Sequence, residues 1–357
     1  MKKRVLFLVP YPIEGASARL RVYQFLPHLK EAGFECVVRP FLTPYFYRIL
    51  YKKGRGLQKA ALFVWCTARR KLDILRALFY DVIFIHREAY PIAPPVFEAL
   101  LFLFRKKIVF DYDDAIYLPP QGSSCVARAL KFPGKTRFII RHGAAVIAGN
   151  EFLKAYAESF NRRIAVIPTC IDTDVYRRAS RPAPRGGRIV IGWIGSHTTQ
   201  VFLEELKDVF SALLSKYRDL EIHLVGGRLS SFSHARLMEK EWSLENEKRD
   251  MERFDIGIMP MPDTDWTRGK CAFKAILYMS LEIPVVTSPV GVNKRIIKDG
   301  VNGFLASSQE EWEEKLSRLI EDASLRRSLG AAGRATAEKE FSLRTNAPLL
   351  CEVLKKV

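Results

Sequence analysis

Basic residues that could bind a pyrophosphate follow an apolar strand pattern within residues 254–304. Arg268 and Lys270 precede an amphipathic helix predicted at about 273–280, and Lys274 lies in its first turn. In open parallel sheets ligands bind at the carboxyl ends of the strands, where helix N-termini present free N–H groups to anions. We therefore predict a diphosphate site at this edge. The alternative is one more αβ unit of a Rossmann-like domain, without a ligand.

Small residues at the ends of other predicted strands would let a ligand approach the backbone closely. Gly195 and Ser196 end the strand of IGWIGS, and Gly226 ends the strand of HLVGG. Gly15 lies in the loop after the first strand, where an ordinary strand-to-helix turn is the alternative. A second helix start, at Val292 and Asn293, would add another N-terminus to the diphosphate site.

Acid–base chemistry is the third possibility, because His86 and Arg87 follow one predicted strand and a D-x-DD motif ends the next. His86, Asp113 and Asp114 are the catalytic candidates. Three alternatives stand beside this interpretation. The histidine could be structural, the acids could bind a metal, or Asp113 or Asp114 could cap the following helix.

Residues 266–274 read W-x-RGKCxFK, with DIGIMP before them and PVVTSPVGVN and DGVNGFL after them. This block resembles the donor site of family 4 glycosyltransferases of the GT-B fold, and the resemblance extends more weakly over the whole chain. It implies transfer of a sugar from a nucleotide-diphosphate sugar to an acceptor, with retention of configuration. It also implies that no metal or other cofactor is bound. Synthesis of a cell-surface polysaccharide or a glycolipid is the expected setting.

The resemblance also implies roles for individual residues. Donor binding falls to Gly15, Gly195, Ser196, Gly226, Arg268, Lys270, Lys274, Val292 and Asn293. The acceptor side receives Arg19 and Arg21, which match an S-x-R-x-R run, together with Arg87 and Asn150 of the AGN-x-x-L motif. Helix capping is the alternative role for Asn150.

The chain departs from the family pattern at two positions that are usually acidic. Gly269 and Leu277 occupy these positions, and Arg295 stands where a Glu is usual. Leu277 has no group that could bond a ribose hydroxyl. The alternative function is therefore a catalytically impaired, glycosyltransferase-like binding or scaffold protein.

Alternation of buried-strand and helix patterns predicts an α/β fold with parallel sheets. Strands are expected at 5–9, 36–39, 82–85, 108–111, 145–148 and 164–167, and then at 189–193, 221–225, 255–259 and 285–287. The helices expected between them include one at 20–32 and one at about 199–216. A Pro-, Gly- and Arg-rich stretch at 177–188 predicts a linker. We expect two Rossmann-like domains facing across a cleft, an acceptor domain at 1–178 and a donor domain at 188–340. By the resemblance, the last helix in 341–357 packs back on the first domain.

Charge is distributed unevenly along the 357 residues. Of the net +18, the first 80 residues supply +12, from 16 basic and 4 acidic side chains. Residues 44–80 mix basic and large apolar residues, as amphipathic helices on anionic membranes do. Lys52, Lys53, Arg69 and Arg70 would then contact lipid. A core-facing helix pair with a solvated basic face is the alternative, and nucleic acid is disfavoured because no nucleic-acid-binding motif accompanies the charge.

Six cysteines without C-x-x-C spacing indicate reduced thiols and neither a zinc site nor a disulfide framework. No stretch reaches the ~18 apolar residues of a membrane span. The short apolar run after MKKR fits a first strand better than a signal peptide. We expect a cytoplasmic protein, peripheral at the inner face of the membrane, that binds a nucleotide sugar and a glycan or lipid-linked acceptor.

Overall fold

The computed structural model describes residues 2–118, 132, 134–178 and 187–357. Cys125 and most of the predicted linker at 177–188 lie outside the described residues. The chain divides into two compact units. The first unit comprises Met1–Cys170, Gly269–Cys271 and Asn346–Val357, and the second comprises Ile171–Arg268 and Ala272–Thr345.

The first unit is built on a parallel sheet of six strands in the order β2-β1-β3-β4-β5-β6. The strands are β1 (Arg4–Val9), β2 (Glu35–Pro40), β3 (Val82–His86), β4 (Lys107–Tyr112), β5 (Ala145–Ala148) and β6 (Ile164–Val166). The inner strands are buried on both faces, so they appear in the sequence as continuous apolar runs such as Val5–Val9.

Helices connect these strands. Among the described residues they are Ala16–Arg21, Leu26–Glu31, Pro44–Leu50, Gly56–Arg76, Val96–Leu103, Lys135–His142 and Glu151–Glu158. The helix predicted over 20–32 is two helices separated by a short 3-10 turn. Pro27 explains the division, because it has no N–H to donate and fits only the first turn of a helix.

The second unit repeats the architecture with six parallel strands in the order β12-β11-β10-β7-β8-β9. These are β7 (Ile189–Ile194), β8 (Leu220–Val225), β9 (Leu237–Lys240), β10 (Ile256–Met259), β11 (Val285–Thr287) and β12 (Phe304–Leu305). Its helices are Lys207–Lys216, Glu247–Met251, Asp265–Arg268, Phe273–Ser280, Asn293–Ile296, Gln309–Glu321 and Ala323–Phe341. The helix Leu343–Lys356 ends the chain.

The predicted fold class is confirmed, since all ten expected strands are present and both sheets are parallel. The prediction missed β9 and β12, which are short edge strands. Each sheet carries its candidate residues at or after the carboxyl ends of its strands. In the first unit these are β1, β3, β4 and β5, and in the second unit β7, β8, β10 and β11.

Candidate active site

In the first unit, a polar cluster forms where β3 and β4 end. His86 is the last residue of β3, and Asp113 and Asp114 directly follow β4. Arg87 has a left-handed backbone (φ 61°), which turns the chain sharply after the strand, and its N–H donates to the carbonyl of Asp111 (2.7 Å). The two strands therefore place one imidazole, one guanidinium and three carboxylates together.

A chain of hydrogen bonds links three of these groups through Ser17. The Ser17 hydroxyl donates to Oδ2 of Asp113 (2.7 Å) and lies 2.7 Å from Nε2 of His86. His86 Nδ1 lies 2.7 Å from Oδ2 of Asp111. Because the hydroxyl proton points at Asp113, Ser17 Oγ is an acceptor for Nε2–H. Both ring nitrogens of His86 thus have a hydrogen-bond partner.

Two arginines balance the carboxylates. Arg21, which is buried, makes a two-point ion pair with Asp111 and donates to the carbonyl of Ile167 (2.6 Å). Arg87 Nε donates to Oδ1 of Asp113 (2.7 Å), and its guanidinium lies 3.6 Å from Asp114. Arg21 therefore supports the site from within the core, and Arg87 partly covers it.

The arginines also set the charge of the acids. Burial by itself raises the pKa of Asp113, but Arg87 and then His86 outweigh burial and hold that pKa well below its ordinary value. The pKa of Asp111 is lowered in the same way, since Arg21 and the His86 hydrogen bond outweigh burial. Both groups are ionised at neutral pH.

Lys270 belongs to this cluster. Its Nζ lies 3.7 Å from Oδ2 of Asp114, and burial, only partly offset by Asp114, lowers its pKa. Asn150 fixes the segment by donating to the carbonyls of Gly269 (3.0 Å) and Lys270 (3.1 Å). The amide oxygen of Asn150 also caps the helix Glu151–Glu158 by accepting from the Leu153 N–H (2.9 Å).

The remaining first-unit candidates have packing roles. A Cβ on Gly15 would lie 2.4 Å from Cβ of Tyr11, so only glycine fits at this helix start. Arg19 is buried, with its guanidinium 3.5 Å from the carbonyl of Ile13. Both residues therefore hold the short helix that carries Ser17.

In the second unit, Gly195 and Ser196 form a turn directly after β7. Lys274, in the first turn of the helix Phe273–Ser280, donates to Oγ1 of Thr199 (3.2 Å), and its ammonium lies 5.1 Å from the ring centre of Trp193. A Cβ on Gly195 would lie 2.3 Å from the same ring. Gly226 has φ +78° and packs its α-carbon against the Gly195 carbonyl. The turn, the helix start and the cation together have the composition of a phosphate-binding site.

The other second-unit candidates have partners away from this turn. Arg268 is exposed and pairs with Asp263 (2.7 Å) and Asp265 (3.1 Å). Asn293 is fully buried and donates to Thr287 Oγ1 (2.7 Å) and the Ser288 carbonyl (3.0 Å). Val292 precedes a helix of only four residues. Arg268 thus has its charge balanced by two acids, and Asn293 holds the loop after β11.

The three departures from the family pattern have physical explanations. A Cβ on Gly269 would lie 2.7 Å from Cβ of Ala115, so a larger residue would push the segment away from the acid cluster. Leu277 is 1% exposed and forms part of the core of its helix. Arg295 points to the helix Ala323–Phe341, where it pairs with Glu340 at 3.8 Å.

Sequence reasoning left four of these residues out of the candidate set: Ser17, Asp111, Trp193 and Thr199. Asp111 and Ser17 lie inside motifs that the sequence singled out, D-x-DD and S-x-R-x-R, so the signal was present. Trp193 and Thr199 carry no such signal in the sequence, because their role depends on the position of Lys274. Within the described residues, no group of three or more His, Cys, Asp or Glu side chains could hold a metal ion.

Residues 188–322 match the family model for glycosyl transferases group 1. No curated protein sequence gives a significant match.

Several solved structures match nearly the whole chain, among them the following three. HepE of Anabaena, in complex with UDP-glucose, is 16% identical with a TM-score of 0.71, covering 99% of this chain and 100% of its own. Sucrose-phosphate synthase of Thermosynechococcus elongatus is 13% identical (TM-score 0.68; coverage 100% and 99%). A glycosyltransferase of Rickettsia africae is 16% identical (TM-score 0.68; coverage 99% and 98%). At these identities the structures show a shared fold. They show the GT-B fold for the whole chain, and the family match assigns residues 188–322 to glycosyl transferases group 1.

Proposed function

We propose that this protein transfers a sugar from a nucleotide-diphosphate sugar to an acceptor hydroxyl, and that the second unit binds the donor. One observation carries the proposal: Lys274 lies at a helix start beside the Gly195–Ser196 turn, inside the region that matches the family. A lysine and free N–H groups there would stabilise the charge that builds on the departing diphosphate. A uridine diphosphate sugar is the first donor to test, since HepE structures contain UDP, glucose and UDP-glucose.

The cluster of the first unit supplies the second part of the proposal. Asp113 and Asp114 would contact the sugar or acceptor hydroxyls, with Arg87 and Lys270 adding positive charge. His86, the third predicted catalytic residue, is 0% exposed and would act through Ser17, which joins it to Asp113. Asp111, Arg21 and Ser17 would orient His86 and do not themselves touch the substrate. Asp111 is 1% exposed, which supports this division of roles.

The finer features of the proposal come from the family resemblance and from charge. We infer retention of configuration, and an acceptor that is a glycan or a lipid-linked sugar of cell-surface polysaccharide or glycolipid synthesis. We place the protein in the cytoplasm, at the inner face of the membrane. The concentration of basic residues in the first 80 positions supports this location.

Thermal shift against UDP, GDP, ADP and TDP and their common sugar conjugates tests donor binding. One nucleotide should raise Tm, and Lys274→Ala should abolish the increase. Lys298→Ala is the matched control, because it removes an exposed lysine from the same unit and should leave the shift intact. Failure of every nucleotide to shift Tm would contradict the proposal.

A binding or scaffold protein without turnover is the second candidate, favoured by Gly269 and by the buried Leu277. Release of nucleotide diphosphate from the stabilising sugar conjugate, with and without acceptor glycans, separates the two. Binding with neither hydrolysis nor transfer would favour the scaffold. Release of nucleotide diphosphate that is lost in Lys274→Ala would show that the protein is an enzyme.

A further inference from the structure

The helix Gly56–Arg76 carries apolar side chains on its outward side. Its inward side contributes Cys66, Arg70, Asp73 and Ile74 to the interior of the first unit. Seven large apolar residues of the helix and the turn after it remain exposed: Leu57 (91%), Val64 (68%), Trp65 (52%), Leu72 (51%), Leu75 (55%), Leu78 (45%) and Phe79 (70%). We refer to these seven residues as the apolar stripe.

The stripe follows the helical repeat. Leu57, Val64, Leu72 and Leu75 are separated by seven, eight and three positions, and the exposed Ala61 and Ala68 fill the gaps between them. This spacing keeps them on one side of the helix for about 27 Å, at 1.5 Å per residue. Within the described part of the chain, this side is not covered. Isolated exposed apolar residues are ordinary, but a continuous row indicates a binding surface.

The exposed charged residues within 44–80 are all basic. Exposed basic residues precede the helix at Lys52, Lys53 and Arg55 and continue along it at Lys71 and Arg76. The only acid in residues 44–80 is Asp73, which is buried and lies within 4 Å of three arginines. Arg69 stacks over the Trp65 ring at 4.8 Å and donates to the Pro40 carbonyl.

The prediction from sequence that Arg70 contacts lipid is wrong. It is buried and donates to the carbonyls of Arg39 (3.1 Å) and Val9 (3.0 Å), at the ends of β2 and β1. Arg70 therefore attaches the helix to the sheet, and the stripe lies on the side that this attachment leaves exposed.

We propose that the apolar stripe inserts into the interface of an anionic lipid bilayer, with the surrounding lysines and arginines contacting the lipid phosphates. Apolar side chains gain by leaving water, and each basic residue near an anionic surface adds to the attraction. This is peripheral binding, and no helix among the described residues is long and apolar enough to cross a bilayer. The proposal does not depend on the transfer reaction.

A second copy of the chain fits the stripe less well. Two copies packed stripe to stripe would bring Lys71, Arg76 and the Lys52–Arg55 region of each against the other. The exposed acid that follows the stripe, Asp81, accepts from the backbone N–H of Arg4 in its own chain. Nucleic acid would satisfy the basic residues but not a row of leucine, valine and phenylalanine. An anionic membrane satisfies both the apolar and the charged groups.

Vesicle sedimentation of the full chain tests the proposal. The wild type should bind phosphatidylcholine vesicles containing about 30% phosphatidylglycerol, and bind pure phosphatidylcholine much more weakly. Leu72→Gln/Leu75→Gln keeps the charge and should bind the anionic vesicles at least about tenfold more weakly. Lys52→Gln/Lys53→Gln should weaken binding and reduce its salt dependence.

The matched control is Met238→Gln/Val301→Gln, which exchanges two equally exposed apolar residues of the second unit and should bind like the wild type. Equal circular dichroism spectra would show that all variants are folded. Unchanged binding of Leu72→Gln/Leu75→Gln would overturn the proposal. So would light scattering that shows a lipid-free dimer lost in that variant, or nucleic acid binding that the same variant weakens.

Discussion

Ser17 is a positioning residue whose hydroxyl joins His86 to Asp113. Both contacts are 2.7 Å, so the hydroxyl fixes the imidazole relative to the carboxylate. Ser17→Ala should lower kcat for sugar transfer about ten- to a hundredfold, because His86 would lose its Nε2 partner. Nucleotide affinity, measured by calorimetry, should stay unchanged, because the residues proposed to bind nucleotide belong to the second unit.

Ser215→Ala is the control for this effect, since the exposed Ser215 hydroxyl donates to the Ser211 carbonyl of its own helix. It should leave both kcat and nucleotide affinity unaltered. A Ser17→Ala enzyme with normal kcat would show that the hydrogen-bond chain has no part in the reaction.

Asp113 makes the stability of the folded protein depend on pH. Its pKa is lowered in the folded protein, because Arg87 and His86 together outweigh burial. A carboxyl with a lowered folded pKa contributes stability that is fully present above its unfolded pKa of about 3.9 and is lost as pH falls through the folded value.

Asp113→Asn should therefore lower Tm at pH 7, and the gap to the wild type should narrow as pH falls below about 4. Scanning calorimetry from pH 7 to below about pH 4 measures this difference in Tm. Asp174→Asn removes an exposed carboxylate and should change Tm little at any pH. A gap that widened on acidification would contradict the assignment of the lowered pKa.

Among the elements, the helix Phe273–Ser280 shows why an acid is absent at position 277. Leu277 is 1% exposed, so a carboxylate there would be buried in the core. Leu277→Glu, which restores the usual family residue, should destabilise the second unit by about 3 kcal/mol or more. Leu277→Met, of similar volume, should cost less than about 1.5 kcal/mol.

Urea unfolding of the two variants measures the difference. If Leu277→Glu were as stable as the wild type and bound nucleotide more tightly, position 277 would be a ligand position and not a core position. In that case the departure from the family pattern would weaken donor binding and could be reversed by a single change.

The strands could be predicted because parallel strands buried on both faces leave continuous apolar runs. β9 gave no such run, since Leu237–Lys240 is mostly exposed, and β12 has two residues. Boundaries were less accurate for helices. The predicted helix at 199–216 begins as a 3-10 helix, Gln200–Leu206, before Lys207–Lys216.

The site was predictable in composition and less so in its pairings. Residue type and position at strand ends made His86 and Asp113 candidates, because the carboxyl ends of parallel strands lie at one edge, and the predicted helix start made Lys274 a candidate. Pairing depends on neighbours distant in sequence. Asp263 and Asp265 balance Arg268, whereas Lys270 lies with Asp114, more than 150 positions earlier. The sequence alone does not show that Arg268 and Lys270 pair with different acids.

Each of the two sheets of the protein has its own hydrophobic core. We therefore expect a ligand that binds one unit to stabilise that unit more than the other. Nucleotide at about 100 times its Kd adds about 2.7 kcal/mol to the unfolding free energy of the unit that binds it. Amides of β7 and β8 that exchange by unfolding of their unit should then exchange about a hundredfold more slowly, while those of β1 and β3 should not change. Hydrogen exchange with mass spectrometry measures both sets, and Lys274→Ala should remove the protection. Equal slowing in both sheets would show that the two units unfold together, and slowing confined to β1 and β3 would place the nucleotide in the first unit.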